Sequence, residues 1–336
     1  MTESLHAWRE LYDGVARFRA LAPWQWIEES QVVGVRDPQS GEVNYCSVSG
    51  DGRRGRLLVH LGSAGLCTFG RLLTAPSDEA AQLTHSLLSC LHVWFGSKKE
   101  VPARQRERLE QLGLSFRGGN YPILSVMEPG YYPDPMPDRY RDYLLTALPV
   151  LLDALDHMRE EPHPYGEGPD SSVLVFSCAE SSSGAPWRHA WEDPDEWHGF
   201  PTGTVDEVLV QRLRRSNRQR RGTWEVGLFV APVVEPEGER YRYAWGLLVT
   251  CPTTGFIVGT EVFPASPDPT DARQAMLHLL DRAELWPDLI TISEIHAARV
   301  LEPLVVPLNL TVKFCDEMPM FDFIVRDVLE HLGVKR

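Results

Sequence analysis

The chain has 336 residues, 43% of them hydrophobic and 10% aromatic, which suits two domains at roughly 100–200 residues each and excludes a disordered polypeptide. Asp and Glu total 47 against 33 Lys and Arg, a formal net charge of −14, so general nucleic-acid binding is excluded unless positive charge is gathered locally. No apolar run reaches roughly the 18 residues that a membrane span needs. The opening MTESLHAWRELYDGVARFRA mixes acids with bases and lacks the apolar region of a signal peptide. Cys46, Cys67, Cys90, Cys178, Cys251 and Cys315 stand singly in the sequence. None forms a CxxC or a Cys/His pair, so free thiols in a reducing cytoplasm and no structural zinc are expected.

The first helix is predicted over 3–20, with Leu5, Trp8, Leu11, Tyr12, Val15 and Phe18 at helical spacing and Pro23 ending it. Gln31–Arg36, Val43–Ser49 and Leu57–Leu61 read as a three-stranded meander with turns at 37–41 and 50–52. A helix over 77–89 and a strand at Leu91–Phe95 follow. The charged stretch 102–112 is a helix with Pro102 near its first turn and Gly113 after its end. Tyr121–Met127 is a strand, 129–137 a proline-rich loop, and Arg139–Met158 a long helix interrupted or bent at Pro149. Val173–Cys178 and Trp187–Trp191 form a hairpin around Ser181–Gly184, and the acidic run 192–203 is a boundary.

A helix from Val205 to about Arg218 comes next, opened by a Thr204/Glu207 capping box. Strands Trp224–Ala231, Tyr241–Thr250 and Phe256–Phe263 are joined by tight turns. Helix 271–284, strand Leu289–Ile292, helix 295–305, strand Leu310–Phe314 and helix 320–332 complete a βββαβαβα order. Hairpins first and helical crossovers afterwards demand a mixed sheet with helices on its faces.

The segments PWQWI (23–27), VVGVRDPQSGEVNYCSVSGDG (32–52), VHLG (59–62), LGLSFRGGNYP (112–122), MEPGYYP (127–133) and WEVGLFVAPV (224–233) resemble a bacterial cytoplasmic family built from two domains of unknown function. That resemblance implies no catalytic residue. The C-terminal element order, with CPTTGFIVGTEVF (251–263) and WPDLITISE (286–294), resembles the ribonuclease-H-like fold. The fold expected is therefore α+β: an antiparallel-sheet α+β domain over 1–200, an Arg-rich connecting helix over 201–221, and a ribonuclease-H-like α/β domain over 222–336.

Active members of that fold hold two metal ions between carboxylates. The resemblance implies Glu225 on the first strand, Glu294 after the fourth, and Asp322 or Asp327 on the last helix, with Mg or Mn. The first strand and the position just past the fourth carry glutamate where aspartate would stand. The other reading makes Glu225 an edge or solvent-facing polar residue and Glu294 a first-turn acid that complements a helix dipole.

Arg212, Arg214, Arg215, Arg218, Arg220 and Arg221 gather six arginines within ten residues. On a helix, 214, 218 and 221 would share a face, as would 212 and 215. Guanidinium forks suit phosphate, so one reading is contact with nucleic acid or another polyanion. A second pairs them with the chain's own acids, such as Glu192, Asp193, Asp195 and Glu196, and a third is a protein partner.

His189 and His198 flank acids without any metal-ligand spacing and read as an acidic surface loop. His60 and His92 read as packing residues. Gly62-Ser63-Ala64-Gly65 could pass for a phosphate loop but lacks the third glycine and the lysine. Trp24, Trp26, Tyr131 and Tyr132 could line a groove or pack internally. Neither GxSxG nor a Walker sequence is present. The function expected is a non-catalytic cytoplasmic binding or scaffold protein without a cofactor. The alternative is a divergent metal-dependent phosphodiesterase or nuclease using Glu225, Glu294 and Asp322.

Overall fold

The computed structural model describes residues 3–52, 54–75, 77–160, 172–178, 187–194, 204–237, 240–263 and 269–331. Two units divide the chain. Met1–Leu73, Leu88–Glu128 and Pro133–Trp197 form the first, and Thr74–Leu87, Pro129–Tyr132 and His198–Arg336 the second. The second unit thus draws on two short stretches that lie well before residue 200. The architecture is α+β in both.

In the first unit, β1 (Val32–Arg36), β2 (Val43–Gly50), β3 (Gly55–His60), β4 (Cys90–Gly96), β5 (Tyr121–Met127), β6 (Asp134–Pro135), β7 (Val173–Cys178) and β8 (Trp187–Glu192) build one sheet. Its order is β6-β5-β4-β3-β2-β1-β7-β8. Every neighbouring pair is antiparallel except β1 with β7. Helix α1 (Glu3–Leu21) buries Trp8, Leu11, Tyr12, Val15 and Phe18, the stripe its 3.6-residue period dictates. That stripe shares a core with Val48, Leu57, Val59, Leu91 and Val93 of the sheet.

Helix α2 (Gly62–Leu73) was not expected. Gly62 and Gly65, read as loop residues, serve close packing instead. Gly62 has φ +60°, and a Cβ on Gly65 would lie 2.7 Å from the Ser89 carbonyl oxygen, so glycine is required for this approach. The phosphate-loop reading is therefore replaced by a helix docked on β2 and β3. Helices α3 (Asp78–His85), α4 (Ala103–Gln111) and α5 (Asp138–Glu160) follow, with Pro149 inside α5 without ending it; α3 belongs to the second unit.

The second unit contains α6 (Glu207–Arg215), β9 (Thr223–Glu237), β10 (Arg240–Cys251), β11 (Phe256–Phe263), α7 (Pro269–Arg282), β12 (Leu289–Ile292), α8 (Ile295–Leu308), β13 (Val312–Phe314) and α9 (Pro319–His331). From β9 onward this is the predicted element order. The sheet runs β11-β10-β9-β12-β13. The first three strands pair antiparallel, and β9, β12 and β13 run parallel. The core on one face gathers Trp224, Val226 and Leu228 of β9 with buried residues of α6, α7 and α8. The other face packs Phe229 and Leu248 against Phe321 and Val325 of α9.

Candidate functional site

The arginine run is not one helix. Asp206, not Thr204, caps α6, accepting from the Leu209 N–H at 2.9 Å. The helix stops at Arg215, Ser216 is its C-cap, and Asn217 turns the chain left-handed at φ 43°. Arg218, Arg220 and Arg221 lie beyond that turn, so the helical face expected to join 214, 218 and 221 does not form. Arg220 instead bridges in parallel with Trp286, and the Arg221 N–H donates to the Trp286 carbonyl at 2.7 Å.

Three of the six guanidiniums are committed within the unit. Arg212 pairs with Asp281 at 2.5 Å. Arg218 donates to the Asp281 carbonyl at 3.2 Å, near the end of α7. Arg220 donates to the Leu308 carbonyl at 2.8 Å, the last residue of α8, and to Pro287 at 3.4 Å. Cations at helix C-termini meet carbonyls that have no helical donor. Two of the four acids expected to neutralise the run are engaged elsewhere. Glu192 pairs with Arg36, Asp193 accepts from Ser172, and Asp195 and Glu196 lie outside the described residues. Arg214, Arg215 and Arg221 are exposed, and their side chains have no partner among the described residues. Val208 on the same helix is 82% exposed.

The carboxylates that the ribonuclease-H resemblance named, Glu225, Glu294 and Asp322, each accept a backbone N–H at a helix N-terminus. Glu225 is neither at an edge nor solvent-facing, being only 4% exposed. Its carboxylate accepts from the Phe321 N–H at 2.7 Å, in the first turn of α9, and from the Thr250 hydroxyl at 3.3 Å. Asp322 accepts from the Met318 N–H at 3.4 Å in that same turn. Glu294 is the N-cap of α8 and accepts from the N–H groups of His296 and Ala297. Glu225 and Asp322 therefore meet at one helix N-terminus and Glu294 holds another, where negative charge is favoured. Asp327 lies further along α9. Among the described residues, no three His, Cys, Asp or Glu side chains are grouped to hold a metal ion.

Replacing Glu225 by alanine strands a buried N–H and is expected to cost about 1–3 kcal/mol. Glutamine keeps an acceptor and should cost less. Urea unfolding of both variants checks this, and equal losses would contradict the capping role.

The remaining candidates serve packing. His60 stacks on Phe69 with ring centroids 4.2 Å apart, and its Nε2 lies 2.8 Å from the Ser47 hydroxyl. His92 stacks on Trp94, and His189 packs near Phe176; His198 is outside the described residues. Burial pushes the Cys46 and Cys90 thiols up to about 12, which makes them inert. Trp24 is buried against Phe18 and Phe95, whereas Trp26 is exposed. The glycines of GDGRRG (50–55) have dinucleotide-fingerprint spacing, but they join β2 to β3, with Gly50 and Gly55 lying against the Trp24 ring. A fingerprint needs a helix there.

The Tyr131–Tyr132 pair forms no open groove. Tyr131 accepts from Arg242 at 2.6 Å and lies under the guanidiniums of Arg240 and Arg242, while Tyr132 stacks on Tyr243. The alternation Arg240-Tyr241-Arg242-Tyr243 was the readable signal for these partners. No described helix is long and apolar enough to cross a membrane.

Residues 8–175 match a family described as a domain of unknown function, DUF7309. Residues 209–329 match a second domain of unknown function, DUF6930. No curated protein matches the chain. The first match alone spans half the sequence, and the two together bear out the two-domain resemblance. The chain belongs to the DUF7309 family and carries a DUF6930 domain behind it.

Proposed function

We propose that this is a non-catalytic cytoplasmic binding or scaffold protein that contacts a polyanion, foremost a nucleic-acid backbone, through Arg214, Arg215 and Arg221. One observation carries the reading: in a chain of net charge −14, these three guanidiniums are exposed and have no partner among the described residues. Exposed arginine forks on an acidic protein are a local exception to its overall repulsion of phosphate. Arg212 stands beside them but shares its charge with Asp281. The element order after Arg221 and the sheet order β11-β10-β9-β12-β13 support a ribonuclease-H-like reading of the second unit. The capping roles of Glu225, Glu294 and Asp322 favour a scaffold over a metal-dependent nuclease. A second reading, a protein partner, is favoured by exposed Val208 on the same helix.

Fluorescence anisotropy with labelled single- and double-stranded DNA and RNA tests the proposal. Micromolar binding is expected, weakened at least about tenfold in the Arg214→Glu/Arg215→Glu/Arg221→Glu variant. The same samples with Mn²⁺ should leave the nucleic acid intact on a denaturing gel. Metal-dependent cleavage would bring the carboxylates forward, and an absence of binding would turn the search to a protein partner.

A further inference from the structure

We propose that the C-terminal domain is completed in cis by two stretches of the N-terminal family region, and that its sheet depends on them for stability. The first is α3. Leu83 and Leu87 are buried in one core with Val226, Leu228 and Val230 of β9 and with Leu209 and Leu213 of α6. The second is the strap Pro129–Tyr132. The Tyr132 N–H donates to the Tyr241 carbonyl at 3.0 Å, and the Tyr243 N–H donates to the Gly130 carbonyl at 2.9 Å. The strap therefore adds a short antiparallel partner to the beginning of β10.

Side chains fasten what the backbone begins. The Tyr131 ring lies 4.0 Å from the Arg240 guanidinium and 4.9 Å from that of Arg242, and Tyr132 stacks on Tyr243 at 4.0 Å. The Gly130 N–H also donates to the Ser86 carbonyl at 2.8 Å, joining the strap to the end of α3. The two stretches are thus one attachment. They lie inside the DUF7309 match, yet they finish the sheet that begins at residue 223.

Without α3, the apolar side chains on one face of β9 lose part of their cover, the rest coming from α6, α7 and α8. Without the strap, the start of β10 presents unpaired backbone groups, which is costly when buried. Leu83 and Leu87 complete that face from outside the DUF6930 match (209–329), so that match alone is not a self-sufficient folding unit.

Amide hydrogen exchange of the full-length protein tests this. Leu83→Ala removes core volume and should raise exchange of the β9 and β10 amides by roughly 30-fold or more. The amides of β2–β4 should keep their wild-type rates and report that the first unit is intact. Tyr131→Phe, a milder change, should raise exchange at the same place by a few-fold, and it carries the test if the leucine variant does not accumulate. Unchanged exchange in β9 and β10, or an equal rise in β2–β4, would overturn the proposal.

Discussion

Acidification is expected to destabilise the first unit through one side chain, His60. It is fully buried, and loss of hydration lowers its pKa from 6.5 to about 3. Its ring faces Phe69 and the Ser47 hydroxyl, neither of which supplies a counter-charge. In the pH range between these two values the unfolded chain binds a proton that the folded unit refuses. Stability therefore rises with pH through this window, is fully present above the unfolded value, and is lost as pH falls toward the folded one. The loss should be about 3 kcal/mol at pH 4 and about 4 kcal/mol at pH 3. Carboxylates titrate in the same range, so the informative comparison is with His60→Gln. Urea unfolding of both proteins from pH 7 to pH 4 should show the variant losing less stability. Equal pH dependence would contradict the assignment.

Arg273→Ala should be comparably severe in the second unit, at about 3–5 kcal/mol. Arg273 lies on α7 and is 0% exposed. It donates to the carbonyls of Thr204 at 2.8 Å, Arg299 at 3.0 Å and Val300 at 3.1 Å. Pro303 lies inside α8 and has no N–H for the Arg299 carbonyl one turn before it, so Arg273 supplies the donor that the helix lacks. The same fork ties the approach to α6 onto α7 and α8. Alanine would leave a cavity and strand these carbonyls. Lysine keeps the charge but cannot reproduce a planar fork with three targets, so Arg273→Lys should recover only part of the loss. Urea unfolding followed by circular dichroism checks the series, and a cost below about 1 kcal/mol for alanine would contradict the role.

What the sequence disclosed follows from the range of the interaction. The stripe of α1 and the hairpins of β1–β3 and β9–β11 are short-range patterns, and the structure repeats them. Helix α2 was hidden because Gly62 and Gly65 signal a loop by propensity, whereas their need arises from the distant Ser89 backbone. The end of α6 was present in Ser216-Asn217 but was obscured by the arginines on both sides. The capping of α9 by Glu225 spans nearly a hundred residues and leaves no local trace. For Arg273 there was only an indirect sign, the two prolines within the apolar helix α8. Of the arginine cluster the sequence disclosed the charge but not its division: three side chains serve helix ends or an ion pair, and Arg214, Arg215 and Arg221 remain exposed.

The central claim is tested most directly by the salt dependence of nucleic-acid binding. Association constants for a labelled oligonucleotide, measured across a series of salt concentrations, should fall with a log–log slope of about −2 to −3 if three phosphates are contacted. The slope should approach zero in the Arg214→Glu/Arg215→Glu/Arg221→Glu variant. Undetectable binding at micromolar protein, or the same slope in wild type and variant, would contradict the account.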